Sequence, residues 1–153
     1  RSVALGPTGG AQIFQRARLA MWWRDRGMME SLLADLAAAP HPNMLVQHTI
    51  LPLVAAAAEG RPLGPELEAF RVLYTNASRS PRQRSFFMQL ATEMNCFAGR
   101  WPEAMEALEA AIDLPLVDIL WLDGCPVLGP LRDDPGFARA RAIIAARAAD
   151  AFS

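Results

Sequence analysis

The sequence predicts an all-α domain of antiparallel helical hairpins, stacked on one another and closed by a C-terminal capping helix. Three observations carry that expectation. Apolar residues recur every three or four positions almost throughout, and nowhere do they alternate strictly with polar ones as a half-buried strand requires. Alanine, the strongest helix former and small enough for close helix approach, is abundant. A helix, glycine turn, helix plan also recurs, with Gly27, Gly60 and Gly99 spaced 33 and 39 residues apart. At such periods each hairpin buries its apolar face against its neighbours.

Residues 1–11 read as a flexible leader. Their "GPTGG" resembles the start of a phosphate loop, but Gly10-Ala11-Gln12 stands where Gly-Lys-Ser/Thr is required. The first hairpin is expected over 12–39, with helices 12–26 and 28–39 around Gly27. The second spans 43–77, with helices 43–59 and 65–77 joined by "GRPLGP"; Pro52 should remove one hydrogen bond, free the carbonyl of His48 and kink the first of them.

The third hairpin, 80–114, has the best specified start. Ser80 can cap, Pro81 suits the first helical position, and Gln83 completes a capping box. Phe86, Phe87, Leu90, Ala91, Met94, Phe97 and Ala98 form the apolar stripe, and Gly99 suits a left-handed end. Pro102 opens the partner helix, in which Met105, Leu108 and Ile112 share a face and Glu106, Glu109 and Asp113 form a solvated ridge, with Pro115 marking the stop. In the closing segment, 116–152, a short apolar helix from Leu116 to Leu122 should be buried. Asp134 and Pro135 then launch a final helix along Phe137, Ala140, Ile144, Ala148 and Phe152.

A chain of 153 residues is one domain's worth, expected here over 12–153. All fifteen basic residues are arginine, which excludes Walker-loop, protein-kinase and Schiff-base chemistry from this segment, since each needs a lysine. A net charge of −1 gives no general pull toward nucleic acid or an anionic membrane, and residues 100–134 hold eight acids against two arginines. The most apolar stretch, Met44 to Ala58, is interrupted by Gln47, His48, Thr49 and Pro52 and falls short of a membrane span. Cys96 and Cys125 lack any pairing pattern and fit reduced thiols, so the expected compartment is the cytoplasm. A chain starting at Arg1 without a targeting pattern is expected to be a piece of something longer.

"GRWPEAMEALEAAIDLP" resembles the second half of a tetratricopeptide repeat: Gly99 in the turn, Trp101 two later, then Ala104, Leu108, Ala111 and the closing Pro115. In the preceding helix Ala91, Thr92 and Asn95 replace the family's small residues and tyrosine, and the two earlier hairpins match only in glycine and helix length. The ending "WLDGCPVLGPLRDDPGFARARA" is similar to the tail that closes the repeat region of large bacterial signalling proteins, notably serine/threonine kinases with tetratricopeptide segments. The resemblance implies a right-handed stack of three hairpins plus a cap, with any kinase lying elsewhere in the parent.

Cys125 with His41 or His48 as base is the one nucleophile arrangement to weigh, and a small buried thiol is the plainer account. No metal is expected from His41, His48, Cys96 and Cys125, which lack ligand spacing, and no cofactor is implied. Asp123, Asp133 and Asp134 lack the calcium-loop pattern, so capping explains them better. Arg82 and Arg84, with Arg79, sit in a helix's first turn, where an acidic partner would relieve their repulsion with the dipole. On the first helices of the hairpins, Arg24, Gln47 and the run Gln89, Glu93, Cys96 are the polar positions that would face a concave surface, although ordinary surface polars look the same in sequence.

The expected function is therefore a non-catalytic protein- or peptide-binding scaffold segment. A ligand-sensing module with a pocket near Gln89 and Trp121 is the first alternative, and a small cysteine enzyme using Cys125 the second. Phe14, Trp22 and Trp23 would let the first hairpin pair with a second copy.

Overall fold

The computed structural model describes residues 9–38, 48–76 and 80–151, and among them there are helices and no strand. The all-helical expectation holds. The chain divides into two compact units, Arg1–Glu66 and Leu67–Ser153.

The first unit contains α1 (Gly10–Trp22), α2 (Arg26–Ala38) and α3 (Ile50–Ala58), each packed on the other two. Its core is Ile13, Ala17, Ala20 and Met21 from α1, Met29 and Leu32 from α2, and Ile50, Leu53, Val54 and Ala56 from α3. The turn between α1 and α2 differs from the glycine turn expected. Arg24 takes the left-handed conformation, with φ of 52°, and Asp25 donates its N–H to the carbonyl of Ala20 at 2.9 Å. Asp25 Oδ1 then accepts from the N–H of Met28 at 2.9 Å. A side chain that caps the next helix decides the boundary, so Gly27 lies inside α2 rather than in the turn.

Gly60 does make its turn, at φ of 68°, where a side chain would be strained. Pro52 stands in the first turn of α3, and the helical run is interrupted just before that helix, where a non-helical Thr49 (φ −112°, ψ −93°) follows a helical His48; the disturbance expected from Pro52 falls there, and Ile50–Ala58 loses no hydrogen bond of its own. Residues 39, 43–47, 77 and Phe152 of the expected elements, and the candidates His41 and Arg79, lie outside the described residues.

Helix α4 (Gly64–Asn76) begins in the first unit and places Leu67 and Phe70, both buried, in the second. There α5 (Pro81–Phe97) and α6 (Trp101–Ile112) form an antiparallel pair. The capping box is complete: Ser80 Oγ accepts from the Gln83 N–H at 3.3 Å, and Gln83 Oε1 accepts from the Ser80 N–H at 3.1 Å. Gly99, at φ of 73°, turns the chain, and Ala104, Leu108 and Ala111 are fully buried where α6 meets its neighbours.

The closing segment consists of α7 (Ile119–Gly124), a 3₁₀ turn (Pro126–Leu131) and α8 (Pro135–Ala151). The 3₁₀ turn packs on α5, and α8 packs on α6 and α7. The short helix is not the buried plug expected. Asp118 caps it by accepting from the Trp121 N–H at 2.9 Å, so the helix starts after Val117, and only Trp121 and Leu122 turn inward while Leu120 is 82% exposed. Asp134 caps α8 as expected, its Oδ1 accepting from the Gly136 N–H at 2.7 Å, and Phe137, Ala140, Ile144 and Ala148 are buried.

Candidate functional site

Asp123, Arg132 and Asp134 of "LDGCPVLGPLRDDPGF" hold the fold together. Arg141 forks onto Asp123 with two bonds of 2.6 and 2.7 Å, and Arg132 donates to the carbonyls of Asp123 and Cys125. Arg139 reaches Glu109 at 2.7 Å, and Arg147 donates to the carbonyl of Leu114 at 2.8 Å. The Arg141 fork holds the Asp123 carboxyl below its ordinary range. Cys125 and Cys96 are buried in the same unit, an environment that suits packing more than nucleophilic attack.

Of the expected partner-binding residues, Arg24 belongs to the first unit, and Arg82, Arg84, Gln89 and Glu93 to the second. Arg24 is exposed in the α1–α2 turn rather than on a helix, Gln47 lies outside the described residues, and Arg82 and Arg84 are exposed in the first turn of α5. Gln89 is half-buried. Glu93, expected on a surface, is fully buried and accepts the indole N–H of Trp121 at 2.8 Å. The indole donor, twenty-eight residues away, offsets part of the cost of that burial. Thr92, beside it, returns its hydroxyl to the carbonyl of Met88 at 2.8 Å.

A cleft of about 290 Å³ opens elsewhere on the second unit, between α4, α5 and α6. Its inner wall is apolar: Leu67, Phe70 and Ala107 are buried, and Phe70 stands 5.3 Å from the ring of Tyr74 and 5.8 Å from that of Phe87. Around the mouth stand Glu68, Arg71, Arg100, Glu103 and Glu106, with Thr75 and Asn95. Gln89 and Trp121 do not line it.

The charges of this cleft are largely paired within single helices or turns. Arg71 forks onto Glu68 at 2.6 and 2.8 Å, and Arg100 contacts Glu103 at 2.7 and 3.0 Å. The Arg71 fork draws Glu68 below the ordinary carboxylate range; Glu103 is drawn down by its own backbone N–H and then by Arg100. Burial raises the Tyr74 phenol, opposed by Arg71 and reinforced by Glu106 and Glu68. Asn95 donates one Nδ2 proton to the carbonyl of Ala91 at 2.9 Å. The i,i+3 pairs Glu68–Arg71 and Arg100–Glu103 are visible in sequence, but their convergence is a property of how three helices pack.

No family model matches the chain, and no curated protein or solved structure matches it either. Among the described residues, no helix is long and apolar enough to cross a membrane.

Proposed function

We propose that this segment is a non-catalytic protein-binding module, a tetratricopeptide-like stack of three hairpins closed by α8, serving as a regulatory or scaffold part of a larger bacterial signalling protein in the cytoplasm. The observation that supports this reading is the cleft on α4, α5 and α6, where an apolar inner wall meets a charged mouth. Such a surface offers burial for an anchor side chain and polar groups to orient it. The left-handed Gly99 between α5 and α6, and the buried small residues Ala104 and Ala111, are in keeping with the tetratricopeptide resemblance.

A photo-crosslinking residue placed at the exposed Thr75, and separately at Arg82, tests the reading in bacterial lysate. The expected result is a saturable adduct with a defined protein from the Thr75 position. Adducts from neither position would sink the docking reading. The runner-up, a ligand- or peptide-sensing module, draws on the cleft's size, which lies near the lower end of small-molecule sites of roughly 300–1,000 Å³. A small molecule that co-purifies with the protein and blocks crosslinking at Thr75 would favour it.

A further inference from the structure

The geometry points to a specific occupant for the α4–α5–α6 cleft: a cationic side chain, arginine or lysine, carried by an apolar segment of a protein partner. The inference rests on the interaction reading above and concerns which chemistry the cleft selects. Three carboxylates, Glu68, Glu103 and Glu106, face two guanidiniums, Arg71 and Arg100. Both guanidiniums are engaged, Arg71 by Glu68 and Arg100 by Glu103. Glu106 is left over, exposed at the mouth with no ion pair among the described residues.

Two further groups can accept a cationic donor. Asn95 keeps its acceptor Oδ1, together with one N–H, after its Nδ2 donates to the carbonyl of Ala91. Tyr74 presents a half-buried aromatic ring, against which a cation gains a further attraction. An anionic ligand would meet a surplus of carboxylate, three against two guanidiniums that are each already engaged, with Glu106 unneutralised. A cation disturbs neither pair. At about 290 Å³ the cleft suits one or two side chains rather than a larger ligand, and the buried Leu67, Phe70 and Ala107 provide the apolar contact that a methylene stem or a flanking leucine requires.

The test uses the intact chain and fluorescence anisotropy with a labelled acetyl-Leu-Arg-Leu-Arg-Leu peptide, its glutamate twin and unlabelled arginine amide. The arginine peptide should bind saturably and the twin at least about tenfold more weakly. Glu106→Arg, an exposed change whose folding is checked by circular dichroism, should weaken the arginine peptide about fivefold or more. Asp113→Arg, the same charge change outside the cleft, should leave binding near the wild-type value.

Equal weakening by the two variants, or equal binding of the two peptides, would overturn the assignment as non-specific charge attraction. Displacement by arginine amide at the concentrations at which the peptide itself competes would also overturn it, replacing a partner segment with a free small molecule. Preference for the glutamate twin overturns the cationic assignment while the interaction reading stands; that reading falls instead on the lysate crosslinking.

Discussion

The two units are held together in different ways. The first relies mainly on apolar packing: its core is Phe14 with aliphatic and sulfur-bearing side chains from α1, α2 and α3, Thr49 is the buried polar exception among the described residues, and Arg16–Asp35 at 2.8 Å joins α1 to α2 at the surface. The second buries Ser85, Thr92 and Glu93 along with its apolar core, and it is laced by contacts from Arg132, Arg139, Arg141 and Arg147. Apolar burial is non-directional, so it stabilises a collapsed unit without naming one arrangement. A buried hydrogen bond such as Trp121–Glu93 has one geometry, and a slipped arrangement of α7 on α5 would forfeit it.

The largest effects should come from the apolar cores and should be local. Leu32→Ala in the first unit and Leu108→Ala in the second remove fully buried side chains, each costing about 2–5 kcal/mol. Amide hydrogen exchange should rise across α1–α3 for the first and across α5 and α6 for the second; a uniform rise in either variant would break the two-unit comparison. Next in size is Trp121→Phe, which withdraws the indole donor from Glu93 and should cost about 1–3 kcal/mol, while Glu93→Gln keeps an acceptor and should cost less than about 1 kcal/mol. Urea denaturation of both variants measures the difference, and equal losses would mean that charge, not the hydrogen bond, matters there.

A smaller change is expected at the start of α5. Ser80→Ala breaks the capping box and should lower stability by about 1 kcal/mol, read as a shift in the urea midpoint with unchanged slope. The smallest concerns pH. Asp123 is held below its ordinary 3.8 by Arg141, so its contribution is present above that value and disappears as pH falls through the lower folded value. Asp123→Asn should therefore be less stable than the wild type at pH 7, with the gap closing in acid. A gap that persists at pH 2 would show that packing, not the ion pair, is responsible.

What could be read in the sequence was whatever rests on neighbours along the chain. Ser80, Pro81 and Gln83 cap α5 through atoms three residues apart, and Asp134 caps α8 in the same local way. Gly60 and Gly99 take the left-handed turns that their lack of a side chain suggests. The first turn was misread because Asp25 is a stronger boundary signal than Gly27, and the left-handed position fell to Arg24. Glu93 was misread for a different reason: a lone acid on a helix looks exposed until its partner, Trp121, is known. The cleft escaped sequence reasoning altogether, since Phe70, Asn95 and Glu106 come together only when three helices pack.

The burial of both thiols turns the second unit into its own clock. Cys96 and Cys125 have essentially no exposed surface, and no other cysteine exists in the chain. A thiol-reactive dye must wait for the thiols to be uncovered, so at dye concentrations where reaction outpaces reclosing the rate of labelling equals the rate of opening, with no engineered probe. The first unit contributes no signal. With no lysine to label either, a mass increase on the folded chain reports one unit's breathing against a silent background.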